Sequence, residues 1–139
     1  MDTSKLLGWD MKLGYIIIYV TDVSKTVKQY QNAFGLDVRY CHECGMYTEL
    51  ATGKTVLAFS GEGFAQCNGL TVKPNRVGDV APAMHVSFTV DDVASVCEKA
   101  VAAGMVLVVA PTKKPWGQTV AYLQDCNGCY IEIGTQVSG

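Results

Sequence analysis

The sequence carries one short pattern twice. Tyr15-Ile-Ile-Ile-Tyr-Val-Thr-Asp22-Val23 returns as His85-Val-Ser-Phe-Thr-Val-Asp-Asp92-Val93 at a constant offset of 70 residues. Val20 falls on Val90, Asp22 on Asp92, and Tyr15 on His85. In the second copy Val86, Phe88 and Val90 alternate with His85, Ser87 and Thr89. Period two with one apolar face marks a half-buried β-strand. The aspartates that follow stand where a helix N-cap is needed. Two copies of a strand-to-helix unit exclude most folds, and the differences between the copies become the main source of functional information.

With 139 residues, each copy is near the size at which a lone unit becomes marginal, so the copies are expected to share a core or pair with a second chain. A hydrophobic content of 49% with 17% charged residues is that of a globular chain. A net charge of −2 without a basic run argues against nucleic acid as a partner. No apolar run is long enough for a membrane span, and Met1–Lys12 lacks the apolar segment of a signal peptide. The expected location is therefore cytoplasmic, with six free thiols in a reducing compartment. Cys97 reads as a small residue on the apolar face of a helix.

In order, Met1–Lys12 is an arm whose Leu6, Leu7 and Trp9 suit packing on a partner. The first unit spans residues 13–60. It has a strand over Leu13–Thr21 and a helix from Asp22 or Ser24 to Phe34, ended by Gly35. Strands follow over Leu36–Cys41, Met46–Ala51 and Thr55–Ser60. Residues 61–82 are a glycine- and proline-bearing connector, and unstructured loops of that length are often functional. The second unit spans residues 83–134. Its helix starts at Asp91 or Asp92 and ends at Gly104, and a strand covers Met105–Val109. A loop over Ala110–Gly117 leads to strands Gln118–Gln124 and Cys129–Ile133, with Asn127-Gly128 predicting a type I′ turn. The fold class is α+β: two βαβββ repeats forming a curved mixed sheet around a cavity.

Several segments carry a resemblance beyond this pattern. They are Tyr19-Val20-Thr21-Asp22, Phe34-Gly35-Leu36, His85 to Asp92, Pro115-Trp116-Gly117, and Asp125-Cys126-Asn127-Gly128-Cys129-Tyr130-Ile131-Glu132. In this order, from about Leu13 to Gly134, the chain resembles the vicinal oxygen chelate superfamily. That superfamily includes glyoxalase I, extradiol dioxygenases, fosfomycin-resistance enzymes and bleomycin-resistance proteins. The resemblance implies four metal-ligand positions, on the first and last strands of each unit. The second unit keeps His85 and Glu132 there; the first has Tyr15, and Leu57 or Ala58 depending on register. One histidine and one carboxylate fall short of the three or more protein ligands of a catalytic site. No cofactor is expected, although a divalent metal would be the one to look for. The resemblance also implies a homodimer that completes its cavities across subunits.

Glu132 lies between Ile131 and Ile133 and must point away from them, into the cavity if they face the helices. An inward carboxylate needs a partner, and His85 is the expected one. His85 reads either as a cavity-lining polar residue or as an acid–base or ligand residue. Tyr15, Ile17 and Tyr19 form an apolar wall on the face equivalent to His85 and Ser87, or else ordinary core aromatics. Trp116 either clamps its loop or stacks on a flat ligand, and Tyr122 joins the ligand-binding set. Cys41-His-Glu-Cys44 and Cys126-Asn-Gly-Cys129 invite a zinc reading, but the pairs are too far apart in sequence for a zinc ribbon. The expectation is a bleomycin-resistance-like protein, of the antibiotic-resistance type, binding a small organic molecule without a catalytic metal. The alternative is a lyase, isomerase or dioxygenase using His85 and Glu132, with Glu49 as an added ligand.

Overall fold

Asp22 and Asp92, in register in the repeat, each cap a helix. Asp22 Oδ1 accepts from the Lys25 N–H at 3.0 Å and Asp92 Oδ1 from the Ser95 N–H at 3.1 Å, satisfying donors that the first helical turn leaves open. The computed structural model describes residues 10–137, so the arm expected over Met1–Lys12, with Leu6, Leu7 and Trp9, lies almost wholly outside the described residues. The first unit comprises β1 (Tyr15–Val20), α1 (Val23–Phe34), β2 (Val38–Cys41), β3 (Tyr47–Leu50) and β4 (Val56–Gly61). A short helix α2 (Gly63–Cys67) follows. The second unit comprises β5 (His85–Thr89), α3 (Val93–Ala102), β6 (Val106–Lys113), β7 (Thr119–Gln124) and β8 (Tyr130–Gly134).

The strands form two four-stranded sheets, β1-β4-β3-β2 and β5-β8-β7-β6, rather than one continuous curved sheet. Within each, the first strand pairs parallel with the last and the others pair antiparallel. A parallel pair needs a crossover, and α1 and α3 supply it. Tyr15 pairs with Val56 and His85 with Tyr130, so the two residues hold equivalent places, as the offset of 70 predicts. The same register aligns Ile17 and Ala58 with Ser87 and Glu132. Ala58, not Leu57, is therefore the counterpart of Glu132.

The core lies under the helices and is common to both units. Tyr30, Leu50 and Phe59 from the first join Cys97, Leu123, Ile131 and Ile133 from the second in one buried cluster. Helices α1 and α3 pack on each other as well as on their sheets.

Three local expectations give way to tertiary context. The strand expected to stop at Val109 runs on to Lys113, because Thr112 and Lys113 pair with Val120 and Thr119. Pro111 sits at an irregularity on this edge strand, where no ladder donor is required. The connector is not structureless. It holds α2, and the Arg76 guanidinium grips the Glu62 carboxylate and the Thr21 hydroxyl. The β7–β8 turn is not type I′, since Asn127 keeps a negative φ and only Gly128, at φ +84°, is left-handed. Instead Gly128 N–H donates to Asp125 O at 3.1 Å and Asp125 N–H to Cys129 O at 2.9 Å, a three-residue loop with glycine in the αL position. Asp125 Oδ1 accepts from the amides of Asn127 and Cys129, an aspartate-centred turn that outcompetes the two-residue alternative.

That loop is fixed to the first unit. Tyr30 Oη donates to Asp125 Oδ2 at 2.6 Å, Asn127 Nδ2 to Thr26 Oγ1 at 3.0 Å, and Cys126 N–H to Gln29 Oε1 at 2.8 Å. The Gln29 amide reaches on to Ala103 O. Burial, and then the Asp125 charge, push the Tyr30 hydroxyl well above its ordinary range, so it remains a donor. Burial also pushes the Cys129 thiol up to about 12. This C-x-x-C pair therefore belongs to the packing of the loop.

Candidate functional site

Alternation sends Ile131 and Ile133 into the core and turns Glu132 to the opposite, open face of the second sheet. There Ser87 Oγ donates to Glu132 Oε1 at 2.6 Å and Tyr122 Oη to Oε2 at 2.7 Å. Both donors stand directly beside Glu132 in the strand register, Ser87 on β5 and Tyr122 on β7. His85 Nε2 lies 3.5 Å from Oε2 and its ring meets Tyr122 edge-on at 5.4 Å. The expected His85–Glu132 pairing is thus present but secondary to two tighter hydroxyl bonds. Partial burial alone raises the Glu132 carboxyl. The bonds from Ser87 and Tyr122, with the charges of His85 and Lys114, outweigh it and hold the group below the usual carboxylate range. The hydrogen bond to Glu132, then burial and the Glu132 charge, push the Tyr122 hydroxyl up.

The first sheet carries a second carboxyl cluster one strand away from the equivalent place. Glu49 on β3 pairs with Ala58, as Tyr122 pairs with Glu132. Arg39 Nη1 donates to Glu49 Oε1 at 2.6 Å and Tyr47 Oη to Oε2 at 2.8 Å. Burial and the Glu49 bond push the Tyr47 hydroxyl up to about 12. Arg39 forms a close ion pair with Glu49, whereas Glu132 has a histidine at 3.5 Å, charged only when protonated, and the charge of Lys114, which forms no ion pair with it. Sequence reasoning named Glu49 only as a spare ligand and missed its arginine. The signal was there: Tyr47 and Glu49 share one face of a short strand, and an inward carboxylate demands a cation or donors.

A metal at the four positions implied by the resemblance would find Tyr15, Ala58, His85 and Glu132. Ala58 has no donor atom and Tyr15 offers only a phenol, which leaves His85 and Glu132. The donor set does not fit a divalent ion. Glu49, beside Ala58 in the register, is already paired with Arg39, and among the described residues no three His, Cys, Asp or Glu side chains converge. In the Cys41–Cys44 turn, His42 Nδ1 approaches Cys44 Sγ at 2.9 Å, while Cys41 Sγ takes the Thr48 hydroxyl.

An open cavity of about 180 Å³ lies where β1 and β5, the unpaired edges of the two sheets, face the connector. Of the residues expected to bind ligand, Ile17, Tyr19 and His85 line it. Ser87, Tyr122 and Glu132 cluster behind His85, outside the cavity lining. Tyr15 is half-exposed on the first sheet, and Tyr19 Oη accepts from Asn68 Nδ2 of the connector. Trp116 is 58% exposed and donates its indole N–H to Gln118, a clamp within its own loop.

The sequence model of the glyoxalase-like domain family matches residues 13–138. Among solved structures, a glyoxalase-related enzyme from Fulvimarina pelagi superposes with a TM-score of 0.78 at 22% identity, covering 91% of this chain and 88% of that one. A glyoxalase/bleomycin resistance protein/dioxygenase family enzyme from Burkholderia phytofirmans PsJN gives 0.76 at 23% identity, covering 92% and 100%. TioX from Micromonospora sp. ML1 gives 0.68 at 20% identity, covering 90% and 98%. At these identities the likeness speaks to the fold alone. No curated protein sequence matches the chain. No helix among the described residues is long and apolar enough to cross a membrane.

Proposed function

The chain belongs to the glyoxalase-like domain family, and from that premise we propose that it binds a small organic molecule at the open face of the second sheet, without a catalytic metal. The observation that carries this reading is Glu132: a partly buried carboxylate, lowered in pKa, fixed by Ser87 and Tyr122 and left without a full counter-charge. A carboxylate oxygen has a second lone pair to offer. A ligand N–H, hydroxyl or ammonium would take it, with Tyr15, Ile17 and Tyr19 supplying apolar contact. The missing donor at Ala58 supports binding over metal chemistry of the glyoxalase kind.

A thermal-shift screen of small organic molecules, followed by calorimetric titration, tests the reading, since a ligand that prefers the native state raises its stability. Hits should lose about tenfold in affinity in Glu132→Gln, the scale of one hydrogen bond to a charged group. Unchanged affinity for every hit overturns the assignment. The closeness of His85 Nε2 to Glu132 favours one second reading, in which the pair moves a proton in a lyase or isomerase reaction. Turnover lost equally in His85→Ala and Glu132→Gln would support it. We also propose a homodimer. Val106, Leu107, Val108 and Val109 are exposed on an edge strand, the kind of surface a second chain covers. Light scattering at micromolar concentration is expected to report two chains.

A further inference from the structure

We propose that the cavity between β1 and β5 takes an organic acid with an apolar body, such as an aromatic or branched aliphatic carboxylate, and that Lys73 selects the acid group. The inference rests on the small-molecule reading above and names its ligand class. Three observations carry it. The wall is apolar, built from the aliphatic run Ile16-Ile17-Ile18 on one side and Met84 and Val86 on the other. Its volume of about 180 Å³ compares with the cavities of about 150 Å³ that suffice for benzene. The charges at its rim are unequal. Glu62 has both oxygens engaged by Arg76, and Thr21 adds a third bond, so its charge is neutralised. Lys73 lines the same cavity and, among the described residues, forms no ion pair. His85 also lines the cavity.

The cavity therefore presents a hydrocarbon slot lined by one exposed lysine that forms no ion pair among the described residues. A neutral apolar molecule gains only the slot, and a cation meets Lys73. A carboxylate joined to a ring or branched chain gains both contacts. His85 joins this cavity to the Glu132 cluster, so a donor group on the same molecule, such as a hydroxyl, would point toward the carboxylate behind it.

Three probes of one shape test the selection: 2-naphthoate, 2-naphthol and 2-naphthylmethylamine, titrated calorimetrically into the full chain at low and moderate salt. The wild type is expected to bind the acid at least tenfold more tightly than the alcohol, and the amine most weakly. Added salt should narrow the gap. Lys73→Met keeps the apolar stem and should bring the acid down to the alcohol, leaving the alcohol unchanged. Lys73→Glu should put the amine first. Lys73 is exposed, so neither change threatens folding. Ile17→Trp fills the slot and should weaken all three probes. An acid that binds no better than the alcohol, or a preference that survives Lys73→Met, overturns the inference. So does unchanged binding in Ile17→Trp, or no binding of any probe. Glu132→Gln separates the two proposals: if it leaves every affinity unchanged while Lys73→Met removes the acid preference, the Glu132 reading falls and the cavity assignment stands.

Discussion

In the first unit the carboxyl of the open sheet face, Glu49, stands on β3 and is neutralised by Arg39. In the second, Glu132 stands on β8 and is held by two hydroxyls with a histidine nearby. The sheets share one strand order, so the difference lies in side chains and local register and not in topology. The turns that precede β4 and β8 differ in the same way. Thr52 organises the first by accepting from the Leu57 N–H. Asp125 organises the second while also holding Tyr30 of α1. The turn before β4 is self-contained in its polar contacts; the turn before β8 reaches across to α1 of the first unit. A duplicated fold keeps its strand order while its buried polar groups diverge, because a buried group needs a partner and either copy can supply it.

Four outcomes bear on this contrast, beginning with the largest. Asp125→Ala should cost about 3 kcal/mol or more, since it strips the acceptor from the buried Tyr30 hydroxyl and from two amides, while Thr52→Ala should cost about 1 kcal/mol. Urea unfolding of both variants measures the ratio, and equal losses would remove the distinction between the turns. Next come the turn glycines. A Cβ on Gly128 would meet the Arg76 carbonyl at 2.8 Å, and φ is +84°, whereas a Cβ on Gly53 meets nothing within 4 Å. Gly128→Ala should therefore destabilise by about 2 kcal/mol and Gly53→Ala by about 1 kcal/mol, the left-handed backbone penalty without the clash.

The third outcome concerns the two carboxyls as binding groups. Glu132→Gln should weaken a bound small molecule about tenfold, and Glu49→Gln by less than about threefold, because Arg39 already occupies Glu49. Calorimetry of one ligand against both variants decides; equal losses would make the two faces equivalent. The smallest effect is on pH dependence. The folded-state pKa of Glu132 is lowered, so its contribution to stability is complete above the unfolded value of about 4.3 and is lost as pH falls through the folded value. Glu132→Gln should flatten the acid limb of stability in that window. An acid limb identical to wild type would mean that the bonds from Ser87 and Tyr122 do not favour the charged form.

The repeat made most of this architecture legible. The capping aspartates, Gly35 as a left-handed helix end and the equivalence of Tyr15 with His85 all follow from local pattern and a constant offset. The direction of Glu132 follows from alternation. His85 is expected beside it, but its two hydroxyl partners are not, because sequence spacing shows which residues share a face but not which strands are neighbours. Ser87 meets Glu132 only through the parallel pairing of β5 with β8. Arg39 reaches Glu49 beside an irregularity in the β2–β3 register, which no periodicity reveals. Lys73 stands in the connector, and its place at a cavity depends on how Arg76 and α2 fold that segment back.

The bonds from Tyr30, Thr26 and Gln29 into the Asp125 loop bear on what would happen if the chain were cut. A nick near Val80, in an exposed part of the connector, would leave two fragments that each lack half of a common core but carry a ready-made set of docking contacts. Such fragments should recombine into the native structure, slowly and in proportion to their concentration, instead of folding apart. Read through fragment complementation, the connector supplies effective concentration, and the pairing of the halves is written into the Asp125 loop and helix α1.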